Sequence, residues 1–244
     1  MATQEHLSYL KQGQQIWNTF RKEQPSIHPD LSSANLSGWN LGGFDLSGAN
    51  LMDVNLSQAN LTKTILTGAN LAEANLFEAN LTHAVLKLAN LTEVDAVNIT
   101  AIQADFSHAT LIKADLSKGN LTGANFSNAN LHYIHFQGAI LKQAILQNTK
   151  LRKSHLDGAM LAETDLSRAD LGQASLAQAN LEGANLSETS LVQTNLQGSC
   201  LIRASNLTQE RLAKAKTLTQ ATMDPDLLEH MTTHYPRLFN PLVV

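Results

Sequence analysis

From Asp30 to Leu201 the chain repeats itself every five residues. Leu31, Leu36, Leu41, Leu46, Leu51, Leu56 and Leu61 open a series that keeps strict register to Leu201. Its 35 positions hold 30 Leu, three Phe (Phe106, Phe126, Phe136) and two Ala (Ala96, Ala101). Two places before each stands a small residue, usually Ala (Ala34, Ala49, Ala59, Ala69), and directly before each stands Asn or Asp more often than anything else. No helix or strand sustains this period. An α-helix turns about 100° per residue, so leucines five apart would spiral around it. A strand would send successive leucines to opposite faces. Every leucine is buried only if the chain turns a corner once per pentapeptide, with Leu and Ala inward. Coils stacked in this way bury a ladder of leucines and pair their backbone groups above and below.

Runs such as Ala49-Asn50-Leu51, Ala59-Asn60-Leu61 and Ala129-Asn130-Leu131 resemble the pentapeptide repeat family. The resemblance implies an all-β solenoid, a right-handed quadrilateral β-helix with four pentapeptides per coil. Nearly nine coils at about 4.8 Å each make a rod roughly 40 Å long. The expected parts are residues 1–29 as an N-terminal helical cap, 30–205 as the β-helix, and 206–244 as a C-terminal cap and tail.

At the N-terminal end, Leu7, Leu10, Ile16, Trp17 and Phe20 follow a helical pattern from Thr3 to Gln24, with Gly13 breaking it and Pro25 ending it. An open solenoid end exposes leucines and unpaired strand edges. Trp17 and Phe20 are expected to plug it against Trp39 and Phe44; the alternative is a partner-binding helix. The stretch Ile16–Arg21 followed by Pro25 resembles a leader of bacterial, particularly cyanobacterial, members of the family. Between Val94 and Ala104 the pattern weakens: Ala96 and Ala101 replace Leu while Val94 and Ile99 replace Ala, an exchange that conserves volume. Register fails at Asn206. Thr208 is placed to N-cap a short helix carrying Leu212 inward. Asp224 and Pro225 should start a second helix running to about His234. The apolar tail Tyr235–Val244 either folds back over the last coil or docks onto a second copy, so the chain is expected to be a monomer or a homodimer through this tail.

Residues 20 apart lie one coil above another, so surface columns can be read directly. On the face of Leu31 one column runs Asp53, Glu73, Glu93, Lys113, Tyr133, Lys153. Lys150 and Arg152 stand beside it above Asn130 and His132. The cluster Lys113, His132, Tyr133, Lys150, Arg152 and Lys153 is the candidate partner-binding site, with a solvated basic patch as the plain alternative. Stacked cations about 5 Å apart would repel unless anions or a partner offset them, and Tyr133 between Lys113 and Lys153 suits a cation–π contact. On the next face, Asp115, His135 and His155 share a column, but a flat face does not converge ligands as a metal site requires; Asp115 is expected beside His135. Ile65 with Val85, and Ile140 with Met160, form stacked outward apolar pairs.

No glycine-rich phosphate loop, nucleophile elbow or His-Glu-x-x-His is present, so no enzyme activity, catalytic residue, cofactor or metal is expected. A net charge of −4 is too small to argue for a nucleic-acid partner. Cys200 is alone, there is no signal-peptide-like stretch in Met1–Lys11, and no run of 18 apolar residues occurs, so a cytoplasmic protein without membrane contact is the expectation. The leading functional reading is a protein-binding scaffold; the alternatives are a DNA-mimicking gyrase modulator and a regulator of bacterial signalling or differentiation. Mimicry of DNA needs a strongly negative rod, and between Leu31 and Leu201 stand 14 acidic residues against nine basic ones.

Overall fold

A computed structural model describes residues 2–240. Parallel β-bridges join residue i to residue i+20 without interruption from Asp30↔Asn50 to Asn185↔Ser205. Each coil therefore holds four pentapeptides, and we number the faces from 1 (Leu31) through 2 (Leu36), 3 (Leu41) and 4 (Leu46). The ladder is regular: Leu36 N–H donates to the Asn55 carbonyl at 2.8 Å, Gly38 N–H to Ser57 at 2.8 Å, and Asn55 N–H back to Ala34 at 3.0 Å.

Each repeat position has a physical cause. The leucines are buried because both neighbouring coils stack leucine against them. At each corner the amide of the small residue closes a turn on the leucine carbonyl, as Ala34 N–H does to Leu31 at 3.2 Å. The third turn residue has positive φ, 55° at Ser33 and 61° at Tyr133, the signature of a type II turn. The Asn or Asp before Leu accepts from the amide two residues on, as Asn60 Oδ1 does from Thr62 N–H at 3.0 Å, so its side chain braces the next turn. Where Thr or Ser replaces the buried Ala, the hydroxyl finds a leucine carbonyl, as Thr64 does Leu41 at 2.8 Å and Ser154 does Leu151 at 2.6 Å.

The weakened stretch stays in register, with bridges Asp95↔Asp115 and Thr100↔Asn120 and with Val94, Ala96, Ile99 and Ala101 all buried. The coil above completes the exchange of volumes. Gly119 stands over Ile99, and a Cβ at Gly119 would lie 2.9 Å from Ile99 Cγ2 and 3.1 Å from the Leu116 carbonyl. The three core phenylalanines gather nearby: Phe106 stacks on Phe126 at 4.7 Å, and Phe136 meets Phe126 edge-on at 5.7 Å.

Two helices cover the N-terminal end, α1 (Gln4–Lys11) and α2 (Gln14–Glu23), with Gly13 between them at φ 96°. Trp17, Phe20 and Phe44 are buried in the core, and Trp39 is half buried against it. Beyond Ser205 the ladder continues with a longer step, Asn195↔Thr217 and Cys200↔Thr222, and the two extra residues are taken up around α3 (Gln209–Leu212). Leu212 points inward as expected, but Thr208 makes no side-chain cap to α3. The last helix, α4 (Pro225–His234), begins at Asp224, whose side chain also does not cap it. That carboxylate accepts from Arg203 N–H at 3.0 Å, in the place where the regular ladder uses a backbone carbonyl. Residues 236–238 form a 3-10 turn, and the Leu238 carbonyl accepts from Leu218 N–H at 2.6 Å. The tail thus folds back as far as Asn240; Pro241–Val244 lie outside the described residues.

Gly119→Ala is expected to destabilise the chain by about 1–3 kcal/mol through overpacking against Ile99. In the Ile99→Ala background the same change should cost clearly less, a coupling of at least about 0.5 kcal/mol that denaturant unfolding of the four variants measures.

Candidate functional site

The basic cluster lies mid-rod on face 1. The ladder places its rows one coil apart: Lys113 N–H donates to the His132 carbonyl at 3.0 Å, and Tyr133 N–H to Arg152 at 3.2 Å. Lys113, Tyr133 and Lys153 each occupy the left-handed corner position, with φ of 57°, 61° and 57°. This geometry recurs at every corner, so it belongs to the scaffold and not to the site. The fold holds these side chains outward at fixed spacing.

His132, Tyr133, Arg152 and Lys153 line a surface groove of about 470 Å³, together with Ile112 and Gln173, which the sequence did not single out. Lys153 Nζ sits 5.5 Å from the Tyr133 ring centroid, within cation–π range, and the His132 ring lies 6.3 Å from that of Tyr133. Tyr133 is 43% exposed, which leaves a large part of its ring available to a partner.

The expected column of mutually repelling cations is corrected by the rod's own anions. Lys113 Nζ binds Glu93 Oε1 at 2.7 Å, one coil toward the N-terminal end, so it does not line the groove. The hydrogen bond to Glu93, and then the charge of Glu93, hold the Lys113 ammonium above its ordinary range. Arg152 Nη1 lies 3.4 Å from Asp170 Oδ2. It can lie there because residue 172 is glycine: a Cβ would stand 2.7 Å from Arg152 Nη1. Lys150 is bridged between Asn130 and Asp170 and is exposed beside the groove. Of the six expected residues, the structure gathers four and sets Lys113 and Lys150 at the margins. Asp170 and Gly172 escaped the sequence reading because a strict column joins residues 20 apart, whereas Arg152 leans diagonally to a residue 18 further on.

On face 2 the His135 and His155 rings stack at 4.9 Å, and Gln137 Nε2 lies 3.3 Å from His135 Nδ1. The expected Asp115–His135 contact is absent among the described residues. Asp115 Oδ1 instead accepts from Ser117 N–H at 2.9 Å, because the turn brace claims it first. No group of three His, Cys, Asp or Glu that could hold a metal occurs among the described residues. The apolar pairs are bridged neighbours, Ile65↔Val85 and Ile140↔Met160. Leu88, three residues after Val85, is 60% exposed at a left-handed corner and was not singled out by the sequence. No helix of the described residues is long and apolar enough to cross a membrane.

The family model for pentapeptide repeats matches residues 30–68, 69–106, 104–143, 139–176 and 169–209. The chain belongs to the pentapeptide repeat family. Among solved structures it is similar to HetL, a pentapeptide repeat protein involved in heterocyst differentiation regulation from the cyanobacterium Nostoc sp. strain PCC 7120. Identity is 30% over 91% of this chain and 94% of HetL, with a TM-score of 0.50. Rfr23, a pentapeptide repeat protein of the cyanobacterium Cyanothece 51142, is 30% identical over 62% of this chain and 95% of its own, TM-score 0.27. QnrB1, a plasmid-mediated fluoroquinolone resistance protein, is 18% identical over 81% of this chain and 92% of its own, TM-score 0.44. Among curated protein sequences none matches.

The Lys113–Glu93 pair is exposed on both sides, 60% and 47%, so solvent screens it and it adds little to stability. Glu93→Gln should therefore leave the chemical denaturation midpoint at moderate salt nearly unchanged.

Proposed function

We propose that this pentapeptide repeat protein is a non-enzymatic scaffold that binds another protein through face 1, built as a right-handed quadrilateral rod whose helical ends act as caps. The observation that carries the reading is the groove over Tyr133. An exposed aromatic ring, a cation held over it and a histidine beside it stand on backbone that cannot shift independently of its neighbours. Rigid aromatic and arginine side chains are what binding hot spots favour. The acidic corner residues Asp53, Glu73 and Glu93 further along the same column give a partner a polarity along the rod. A regulatory role is the process this reading favours, supported by 30% identity to HetL over 91% of this chain.

The DNA-mimicking reading is weaker. Basic residues on the rod reach acidic neighbours in adjacent coils, as Lys142 does Glu163 at 3.7 Å and Arg168 does Glu188 at 3.1 Å. These acids are thereby paired locally, and the basic residues interrupt the acidic column beyond Glu93.

Two experiments test these proposals. Deleting residues 1–26 removes Trp17 and Phe20 from the first coil, and should lower the melting temperature and promote aggregation; an unchanged melt with a monodisperse product overturns the capping role. For the site, the wild-type chain is used to capture its partner from native cell extract, and the partner is then purified. Substituting Lys113, Tyr133, Arg152 and Lys153 together by Ala should preserve the melt and weaken this binding at least tenfold, about 1.4 kcal/mol. Undiminished affinity places the site elsewhere.

A further inference from the structure

The first coil has no coil before it, so its outer edge presents the groups that every later coil uses for pairing. The second coil shows which they are: Asn55 N–H donates, and the Asn55 and Ser57 carbonyls accept. The first-coil equivalents are the N–H groups of Asp30, Asn35, Asn40 and Asp45, and the carbonyls of these four and of Ser32, Ser37, Gly42 and Ser47.

On faces 1 and 4 the N-terminal segment meets these groups nearly one for one. Ala2 N–H donates to Ser32 at 2.8 Å and Thr3 N–H to Asp30 at 3.1 Å, while His6 Nδ1 accepts from Asp30 N–H at 3.0 Å. Trp17 Nε1 donates to the Asp45 carbonyl at 2.7 Å, Asn18 Oδ1 accepts from Asp45 N–H at 2.9 Å, and Arg21 Nη2 donates to Ser47 at 2.7 Å. Faces 2 and 3 are treated differently. Among the described residues, the N–H and C=O of Asn35 and Asn40 and the carbonyls of Ser37 and Gly42 find no partner. Asn35, Ser37, Gly38 and Asn40 are exposed.

We propose that this uncovered half-edge, residues 35–42, is a docking surface for a second copy of the chain, which pairs with it through backbone hydrogen bonds about a two-fold axis. Three observations select a second copy as the occupant. First, the edge is self-complementary, since Asn35 and Asn40 each offer a donor and an acceptor on one side, as residues that exchange both bonds across an antiparallel pair must. Second, it is unguarded. Soluble proteins protect free edges with charges or proline, yet from Leu31 to Phe44 there is neither, so two copies meet without charge repulsion. Third, half-buried Trp39 stands at the corner between the two faces, and its indole N–H has no partner among the described residues. Pairing brings its ring against the other copy. The helices over faces 4 and 1 confine contact to faces 2 and 3, so the rods meet offset and not end-on. This inference is independent of the groove on face 1, which the pairing leaves open.

The test uses the full-length chain alone. Sedimentation velocity across a wide concentration range should show a monomer–dimer equilibrium. Amide exchange at residues 35–42 should slow as the dimer fills, and tryptophan emission should shift to the blue, because Trp17 is already buried and only Trp39 can be desolvated. Ser37→Lys sets like charges across the two-fold axis on an exposed position and should raise the dissociation constant at least tenfold with an unchanged melt. Asn35→Pro removes a donor that is unpaired within the chain and should act in the same direction. A chain that is monomeric at every concentration overturns the proposal. So does a dimer that survives both substitutions, or one whose exchange protection lies in the C-terminal tail.

Discussion

The coil-to-coil hydrogen-bond ladder is the constraint on which the rest of this molecule depends. Leucine N–H donates forward to the carbonyl of the residue before the next coil's leucine, and that residue's N–H donates back, as Leu36, Asn55 and Ala34 show. Because the ladder fixes the step at 20 residues, it fixes side chains as well. Leucine stacks on leucine inside, and outside each corner residue stands above its counterpart. The chain behaves as a one-dimensional stack in which each coil is stabilised by its two neighbours. A misfit is therefore repaired locally: Gly119 accommodates Ile99 one coil away, and the register on either side is undisturbed.

The period made this much legible from residues alone. Inward leucines, the columns on face 1, the burial of Trp17 and Phe20 against the core and the start of α4 at Pro225 all follow from spacing and residue type. What spacing could not show was how flexible side chains choose between neighbours. Asp115 was expected to face His135, yet it braces Ser117, because a bond to its own turn needs no cooperation from the next coil. Arg152 leans diagonally to Asp170, which a reading by columns of 20 does not register. The 22-residue step after Asn195 was hidden too. The helix signal at Thr208 was visible, but that the chain rejoins the ladder at Thr217 depends on where Leu212 packs.

The two ends solve one problem by similar means. At each end an arginine of the terminal segment donates to a carbonyl of the coil it covers and to one of the segment beside it. Arg21 donates to Ile27 and Ser47, and Arg211 donates to Leu186 and Asn206. The arrangement at Arg21 is costly, since the side chain is buried and its Nε has no hydrogen-bond partner among the described residues. Charge-assisted bonds from one planar fork to two separate carbonyls offset that cost. An arginine also reaches across a corner, where a backbone segment would need another turn.

Under the two proposals, one rod would carry two kinds of recognition. A face presents side chains held by the ladder, so what it would bind depends on residue identity, as proposed for the groove of Tyr133, Arg152 and Lys153. An edge presents only amides and carbonyls, so what it binds is decided by geometry and by the absence of charge. The two readouts lie at right angles on the rod and do not compete. A pair of chains joined at residues 35–42 would present two face 1 grooves running in opposite directions. A partner that is itself two-fold symmetric would then engage both, with the second contact made intramolecular by the first. For such a partner the self-association of the rod, and not any new side-chain contact, would set the strength of binding.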